Sequence, residues 1–124
     1  MHKINGVFSA ALTPINGDYS INLNLFLSHC QRLLKQNLKG LSIFGTTGEG
    51  NAFNINEKIQ AIEFLIENNI SSNKLMPGTG HCSISDTVKF TKKCSELKIT
   101  SVLVLPAFFY KDVSEKELLN ILDV

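Results

Sequence analysis

A fourfold alternation of short apolar runs with amphipathic helix patterns constrains the fold of this chain more than any other feature. The predicted strands are residues 6–12, 40–44, 74–80 and 101–106, and the predicted helices are residues 22–37, 54–69, 83–97 and 114–124. Strands buried on both faces form nearly continuous apolar runs, and surface helices repeat apolar residues at spacings of three and four. The pattern therefore predicts an α/β fold with a parallel sheet covered by helices.

The number of strand–helix units predicts part of a barrel. Four units in 124 residues are about half of the roughly 250 residues of a (β/α)8 TIM barrel. Polar or glycine-rich segments follow each predicted strand, at Thr13, 45–50, 78–80 and 108–111. Active sites lie at that end of barrel strands. We expect residues 1–124 to form the N-terminal half of a TIM-barrel domain, truncated within its fourth helix.

Composition argues against several classes of protein. The net charge is +1 and Arg32 is the single arginine, which disfavours nucleic-acid binding. The three cysteines form no CxxC pair and their number is odd, so we expect reduced thiols and a cytoplasmic protein. No apolar stretch approaches the roughly 20 residues of a membrane span.

The segment Gly-Thr-Thr-Gly-Glu-Gly, residues 45–50, is the main candidate site. Glycines bring backbone N–H groups close to a ligand, and a loop before a helix offers them to an anion. Thr46 and Thr47 add hydroxyls that donate, accept or pass a proton. A small carboxylate suits such a loop. The alternative is a plain connection whose threonines bond local backbone groups. No GK[ST] follows, so this is not a Walker loop.

Two later segments offer weaker candidates. Gly-Thr-Gly, residues 78–80, is either a second ligand loop or a glycine-rich turn. His81 and Cys82 have no second ligand pair nearby in the sequence, so no metal site is predicted. Tyr110 ends a run of three aromatic residues, and its hydroxyl can join a proton relay. Core or interface packing is the alternative for the whole run.

Four segments together resemble the dihydrodipicolinate synthase and N-acetylneuraminate lyase family. They are GVFSAALTPIN, GLSIFGTTGEG, MPGTG and VLVLPAFFYKDVSEKEL, in the order and spacing that the family shows. The resemblance implies a (β/α)8 barrel assembled as a homotetramer, acting without a cofactor as a class I aldolase on pyruvate or another 2-keto acid and an aldehyde. It implies that Thr46 and Thr47 hold the pyruvate carboxylate, and that Thr46 and Tyr110 belong to a proton relay.

The family's imine-forming lysine lies on a sixth strand, which is not among these 124 residues. We therefore expect the chain alone to be inactive. Gly50, Ile55 and Lys58 stand where lysine-inhibited synthases carry a serine and histidines, so lysine feedback is not expected. The leading function is dihydrodipicolinate synthase, with aspartate semialdehyde as the aldehyde.

Three alternatives remain open at this stage. One is an N-acetylneuraminate or keto-deoxy sugar acid lyase of the same family. Another is a noncatalytic fragment or assembly module, which pairs with itself or with a complementary half-barrel because half-barrels leave sheet edges unpaired. The third is a compact four-stranded α/β module that binds a small anion.

Overall fold

A computed structural model describes residues 4–106, 108, 109 and 111–122. The side chains of residues 121 and 122 are not among the described features. The elements are β1 Phe8–Ala10, α1 Leu23–Leu34, β2 Gly40–Ile43, α2 Ile55–Glu67, β3 Leu75–Pro77, α3 Ile84–Glu96 and α4 Glu115–Leu122. The predicted order of strands and helices is confirmed for the first three units. The observed elements are shorter than predicted at both ends, except that β2 begins at Gly40 as predicted.

The three strands form a parallel sheet in the order β1-β2-β3. Phe8 pairs with Gly40, and Ser42 pairs with Met76. Because all strands run the same way, the loops that follow them lie along one edge of the sheet. This topology is the predicted α/β arrangement, and it brings the two glycine-rich loops side by side.

The fourth predicted strand, residues 101–106, is reduced to one parallel bridge between Gly78 and Leu103. The Leu103 N–H donates to the Pro77 carbonyl at 2.9 Å, and the Thr79 N–H donates to the Leu103 carbonyl at 2.9 Å. Val104 and Leu105 are 40% and 49% exposed. Among residues 4–106 and the later described ones, no strand pairs with its outer side, so the segment does not show the second hydrogen-bonded ladder of a central strand.

Helix α2 begins with the capping box that its sequence predicts. The Glu57 N–H donates to Asn54 Oδ1 at 3.0 Å, and the Asn54 N–H donates to Glu57 Oε2 at 3.0 Å. The two bonds satisfy backbone donors that the first turn otherwise leaves free. Ser114 and Glu117 make the same reciprocal pair before α4.

The core lies between the sheet and α1, α2 and α3. Its fully buried side chains include Phe26, Leu41, Ile62 and Phe90. Cys30 and Cys94 are buried free thiols, and burial raises their pKa values to about 12 and about 11. Of the helices that the structure describes, none has the length and apolar character to cross a membrane.

Candidate functional site

The candidate site is built on residues 45–50, here called the threonine loop, which connects the end of β2 to a short 3₁₀ turn at Gly50–Ala52. Two backbone bonds close it, from the Glu49 N–H to the Thr46 carbonyl and from the Gly50 N–H to the Gly45 carbonyl, both at 3.1 Å. Phe44, directly before the loop, and Glu49, near its end, have φ of 56° and 50°. These left-handed residues allow a tight turn.

Thr46 and Thr47 are exposed at the tip of this turn. Within the part of the chain that the structure describes, neither hydroxyl has a hydrogen-bond partner, and the same holds for the backbone N–H groups of Thr46, Thr47 and Gly48. The hydroxyls therefore do not cap local backbone groups. Three backbone N–H groups and two hydroxyls without partners in one turn are a set of donors suited to a carboxylate.

The capping box at the N-terminus of α2 already uses the backbone N–H groups of Asn54 and Glu57. Asn54 Oδ1 already accepts the Glu57 N–H, and the Glu57 carboxylate lies over the first turn. A carboxylate there satisfies the positive end of the helix dipole. The threonine loop, rather than the helix end, is therefore the candidate anion site.

Thr13 anchors the threonine loop from a neighbouring strand end. Its Oγ1 donates to the Gly48 carbonyl at 2.7 Å. A Cβ at Gly48 would lie 2.8 Å from the Ala11 carbonyl oxygen, so the close approach of the two segments requires glycine. The sequence placed Thr13 after the first predicted strand, at the end where active sites lie, but indicated no contact with the threonine loop. The signal for its role is that a polar residue follows β1 at the edge where the threonine loop follows β2.

The second glycine-rich loop, residues 78–80, is structural. The Gly78 N–H donates to the Ile43 carbonyl at 2.8 Å. Thr79 is fully buried, and Thr91 Oγ1 donates to Thr79 Oγ1 at 2.9 Å. The glycine-rich turn is thus the better description. Across the described residues, no cluster of three or more His, Cys, Asp or Glu could hold a metal ion, His81 and Cys82 included.

Lys58 is the functional candidate that sequence reasoning missed. Its side chain is 1% exposed. Lys58 Nζ lies 3.1 Å from His81 Nε2, 5.7 Å from the centroid of the Phe90 ring and 6.0 Å from that of Phe44. Burial lowers the pKa of Lys58 to about 8. Position 58 lies three residues after Ile55 and four before Ile62, on the apolar face of α2. This spacing was the sequence signal that Lys58 would be buried.

Tyr110, the predicted relay residue, lies outside the described residues. Its neighbours Phe108 and Phe109 are 41% and 70% exposed. Thr46 and Thr47 are therefore the predicted site residues whose positions the structure gives.

Comparison with known proteins decides the family. The sequence profile of the dihydrodipicolinate synthetase family matches residues 3–121. The chain belongs to this family. A 4-hydroxy-tetrahydrodipicolinate synthase of Listeria monocytogenes is 35% identical over 107 residues, which are 85% of this chain and 36% of the relative. The chain thus spans well under half of the relatives it matches.

Solved structures of dihydrodipicolinate synthetase relatives share the fold. The dihydrodipicolinate synthase of Agrobacterium tumefaciens superposes with a TM-score of 0.91 at 24% identity, over 95% of this chain and 41% of that one. The N-acetylneuraminate lyase of Proteus mirabilis gives 0.84 at 26%, over 97% and 41%. A pyruvate complex of a Sulfolobus solfataricus 2-keto-3-deoxygluconate aldolase variant gives 0.82 at 22%, over 93% and 38%. These neighbours confirm that the chain has the fold of about two-fifths of a TIM barrel.

Proposed function

We propose that the threonine loop binds the carboxylate of pyruvate or another small 2-keto acid. The observation that carries the proposal is the set of unpartnered donors on Thr46, Thr47 and Gly48 in one tight turn. Family membership supports it, because pyruvate complexes occur among the structural neighbours. Hydrogen bonds from several fixed donors to an ionised carboxylate are among the stronger ones in proteins.

In this proposal the chain supplies carboxylate binding and proton transfer to a Schiff-base aldolase. Thr46 and Tyr110 pass the proton, in keeping with the family resemblance, and Thr46 and Thr47 orient the keto acid. The imine-forming lysine comes from a sixth strand, which the 124 residues do not include. The working enzyme is a cytoplasmic assembly in which a complementary half-barrel that carries the sixth strand completes the site.

The synthase reaction, aldol addition of pyruvate to aspartate semialdehyde, is the leading activity of such an assembly. The 35% identical Listeria relative bears a synthase name. An N-acetylneuraminate or keto-deoxy sugar acid lyase is the second candidate, because a lyase also superposes over 97% of the chain. Assays of the completed barrel with each aldehyde separate the two.

Replacing the threonine hydroxyls should weaken pyruvate binding by about tenfold per residue. Thr46→Val and Thr47→Val keep the side-chain volume and remove one donor each, and a hydrogen bond to a charged group contributes about 1.5–3 kcal/mol. Pyruvate is titrated into the ¹⁵N-labelled chain, and the dissociation constant is read from the amide shifts of residues 45–48.

Thr100 provides the matched control for these variants. It is also an exposed threonine, and it lies outside the threonine loop. Thr100→Val should therefore leave the affinity unchanged. Equal affinity in Thr46→Val, Thr47→Val and the unaltered chain would show that the hydroxyls do not contact the keto acid.

Borohydride should trap no pyruvate adduct on the 124-residue chain. Trapping needs an imine between a reactive lysine and the keto carbon, and the family's lysine is not present. Mass spectrometry after reduction checks this, with a full-length synthase as the positive control. A trapped adduct mapped to Lys58, the buried lysine, would contradict the assigned roles.

A second candidate, an assembly module, is favoured by the apolar surface beyond β3. The side chains of Leu103, Val104, Leu105, Phe108 and Phe109 are each at least 40% exposed. Apolar patches of this kind mark interaction surfaces. Light scattering of the purified chain distinguishes the cases, because a stable monomer would count against an assembly role.

A further inference from the structure

Lys58 is a buried amine whose hydrogen-bond partner is a histidine rather than a carboxylate. Among the described residues, the one ion pair is Lys93 with Glu63, at 2.8 Å between Nζ and Oε1 on the surface of α2 and α3. Lys58 Nζ instead contacts the imidazole nitrogen His81 Nε2. Buried charges are normally paired with an opposite charge, so this arrangement calls for an explanation.

The contact joins the two loops at the candidate edge of the sheet. Lys58 packs against Phe44, which directly precedes the threonine loop, while His81 directly follows residues 78–80. The backbone of His81 is held on α3, because its N–H donates to Thr87 Oγ1 at 2.9 Å. Its imidazole ring is therefore free to contact α2, and it lies edge-on to Phe90.

The 3.1 Å contact between Lys58 Nζ and His81 Nε2 requires a lone pair on one nitrogen and a hydrogen on the other. An ammonium donating to a neutral imidazole meets this condition, and so does the fully neutral pair. An ammonium facing an imidazolium does not, because both groups are then donors and cations. Protonation of His81 should therefore break the contact.

We propose that Lys58 and His81 are positioning residues that hold the threonine loop in its binding conformation while the imidazole is neutral. Protonation of His81 separates the two side chains, weakens the contact of Lys58 with the Phe44 ring and loosens the loop. The consequence of this separation, weaker binding of the carboxylate at acidic pH, rests on the proposed keto-acid function. The loosening itself does not depend on any ligand.

The charges around the pair set the pH at which this happens. Burial, followed by the nearby Lys58 ammonium, lowers the pKa of His81 below 6.5, and Asp86 on α3 opposes this shift. The ion pair of Glu63 and Lys93 joins the same two helices at the surface. The contact therefore holds at neutral pH and opens on acidification.

The test follows the ligand-free chain by NMR between pH 8 and pH 4. The His81 ring signals, assigned with His81→Gln, and the amides of residues 45–48 should titrate with one midpoint below 6.5. In Lys58→Met the His81 midpoint should rise, because the neighbouring cation is gone. The loop amides should then lose most of their pH dependence.

Lys93→Met is the matched control, since it removes a lysine that also bridges α2 and α3. It should leave the His81 midpoint and the loop titration unchanged. An unshifted His81 midpoint in Lys58→Met, or loop amides that do not follow His81 in the unaltered chain, would overturn the proposal. The unaltered chain gives this second readout even if Lys58→Met does not fold.

A pyruvate titration at each pH separates this inference from the proposed function. We expect the affinity to fall about tenfold or more below the His81 midpoint. If the affinity for pyruvate does not change with pH while the loop amides titrate, positioning by the pair is refuted and the proposed keto-acid site is not. Absence of binding at every pH would refute the proposed function. The ligand-free titration would then test by itself whether Lys58 and His81 position the loop.

Discussion

Gly78→Ala should destabilise the fold by about 3 kcal/mol, at the upper end of overpacking costs. A Cβ at position 78 would lie 2.4 Å from the carbonyl oxygen and 3.0 Å from the carbonyl carbon of Phe44. Both contacts are with backbone, so no side-chain rotation relieves them. The Gly78 N–H bond to Ile43 also holds β3 against β2. Urea denaturation followed by circular dichroism measures the change.

Gly17→Ala is the control for this substitution. A Cβ at Gly17 meets nothing within 4 Å, so its free energy of unfolding should stay within about 0.5 kcal/mol of the parent, as for ordinary surface substitutions. Similar losses in Gly17→Ala and Gly78→Ala would mean that the general effect of replacing glycine, rather than the clash with Phe44, accounts for the result.

Lys58→Met should abolish a rise in stability with pH between about 8 and 10.5. The pKa of Lys58 is lowered from 10.5 to about 8 in the folded chain. In that window the unfolded chain binds a proton that the folded chain does not, so the free energy of unfolding increases with pH. The rise is complete above 10.5 and absent below 8. Its total is at most about 3.5 kcal/mol, because one pKa unit corresponds to about 1.4 kcal/mol.

Urea denaturation at a series of pH values checks this by comparing the unaltered chain with Lys58→Met. Lys93→Met serves as the control, because the pKa of Lys93 is raised by its hydrogen bond with Glu63, and its loss cannot remove a rise of this sign. Parallel curves for the unaltered chain and Lys58→Met would show that the Lys58 amine is solvated in solution.

The fold was predictable from local patterns to the extent that each element depends on its own residues. The apolar periods and the Asn54–Glu57 capping pair placed α2 correctly. The length of the strand at residues 101–106 was overestimated, because an apolar run predicts a strand whether or not a neighbouring strand is present to pair with it. One bridge through Leu103 is what the described neighbours support.

The sequence predicted where the candidate site lies but not which groups make contact there. Glycine and threonine at the end of β2 indicated a ligand loop, but their sequence could not distinguish free hydroxyls from hydroxyls that cap the backbone. Residues 78–80 carry a similar Gly-Thr-Gly pattern, and there the hydroxyl of Thr79 is buried against Thr91. Similar local sequences thus give exposed threonine hydroxyls in one loop and a buried one in the other, and packing decides between them.

The sequence by itself determined the parallel α/β order and the edge at which the loops gather, because strand and helix periods are properties of neighbouring residues. Only the tertiary structure decided which groups meet there. The bond from Thr13 to Gly48 spans 35 positions, and the contact of Lys58 with His81 spans 23. Such contacts depend on how the strand ends and helices pack in space, and no local pattern encodes that distance.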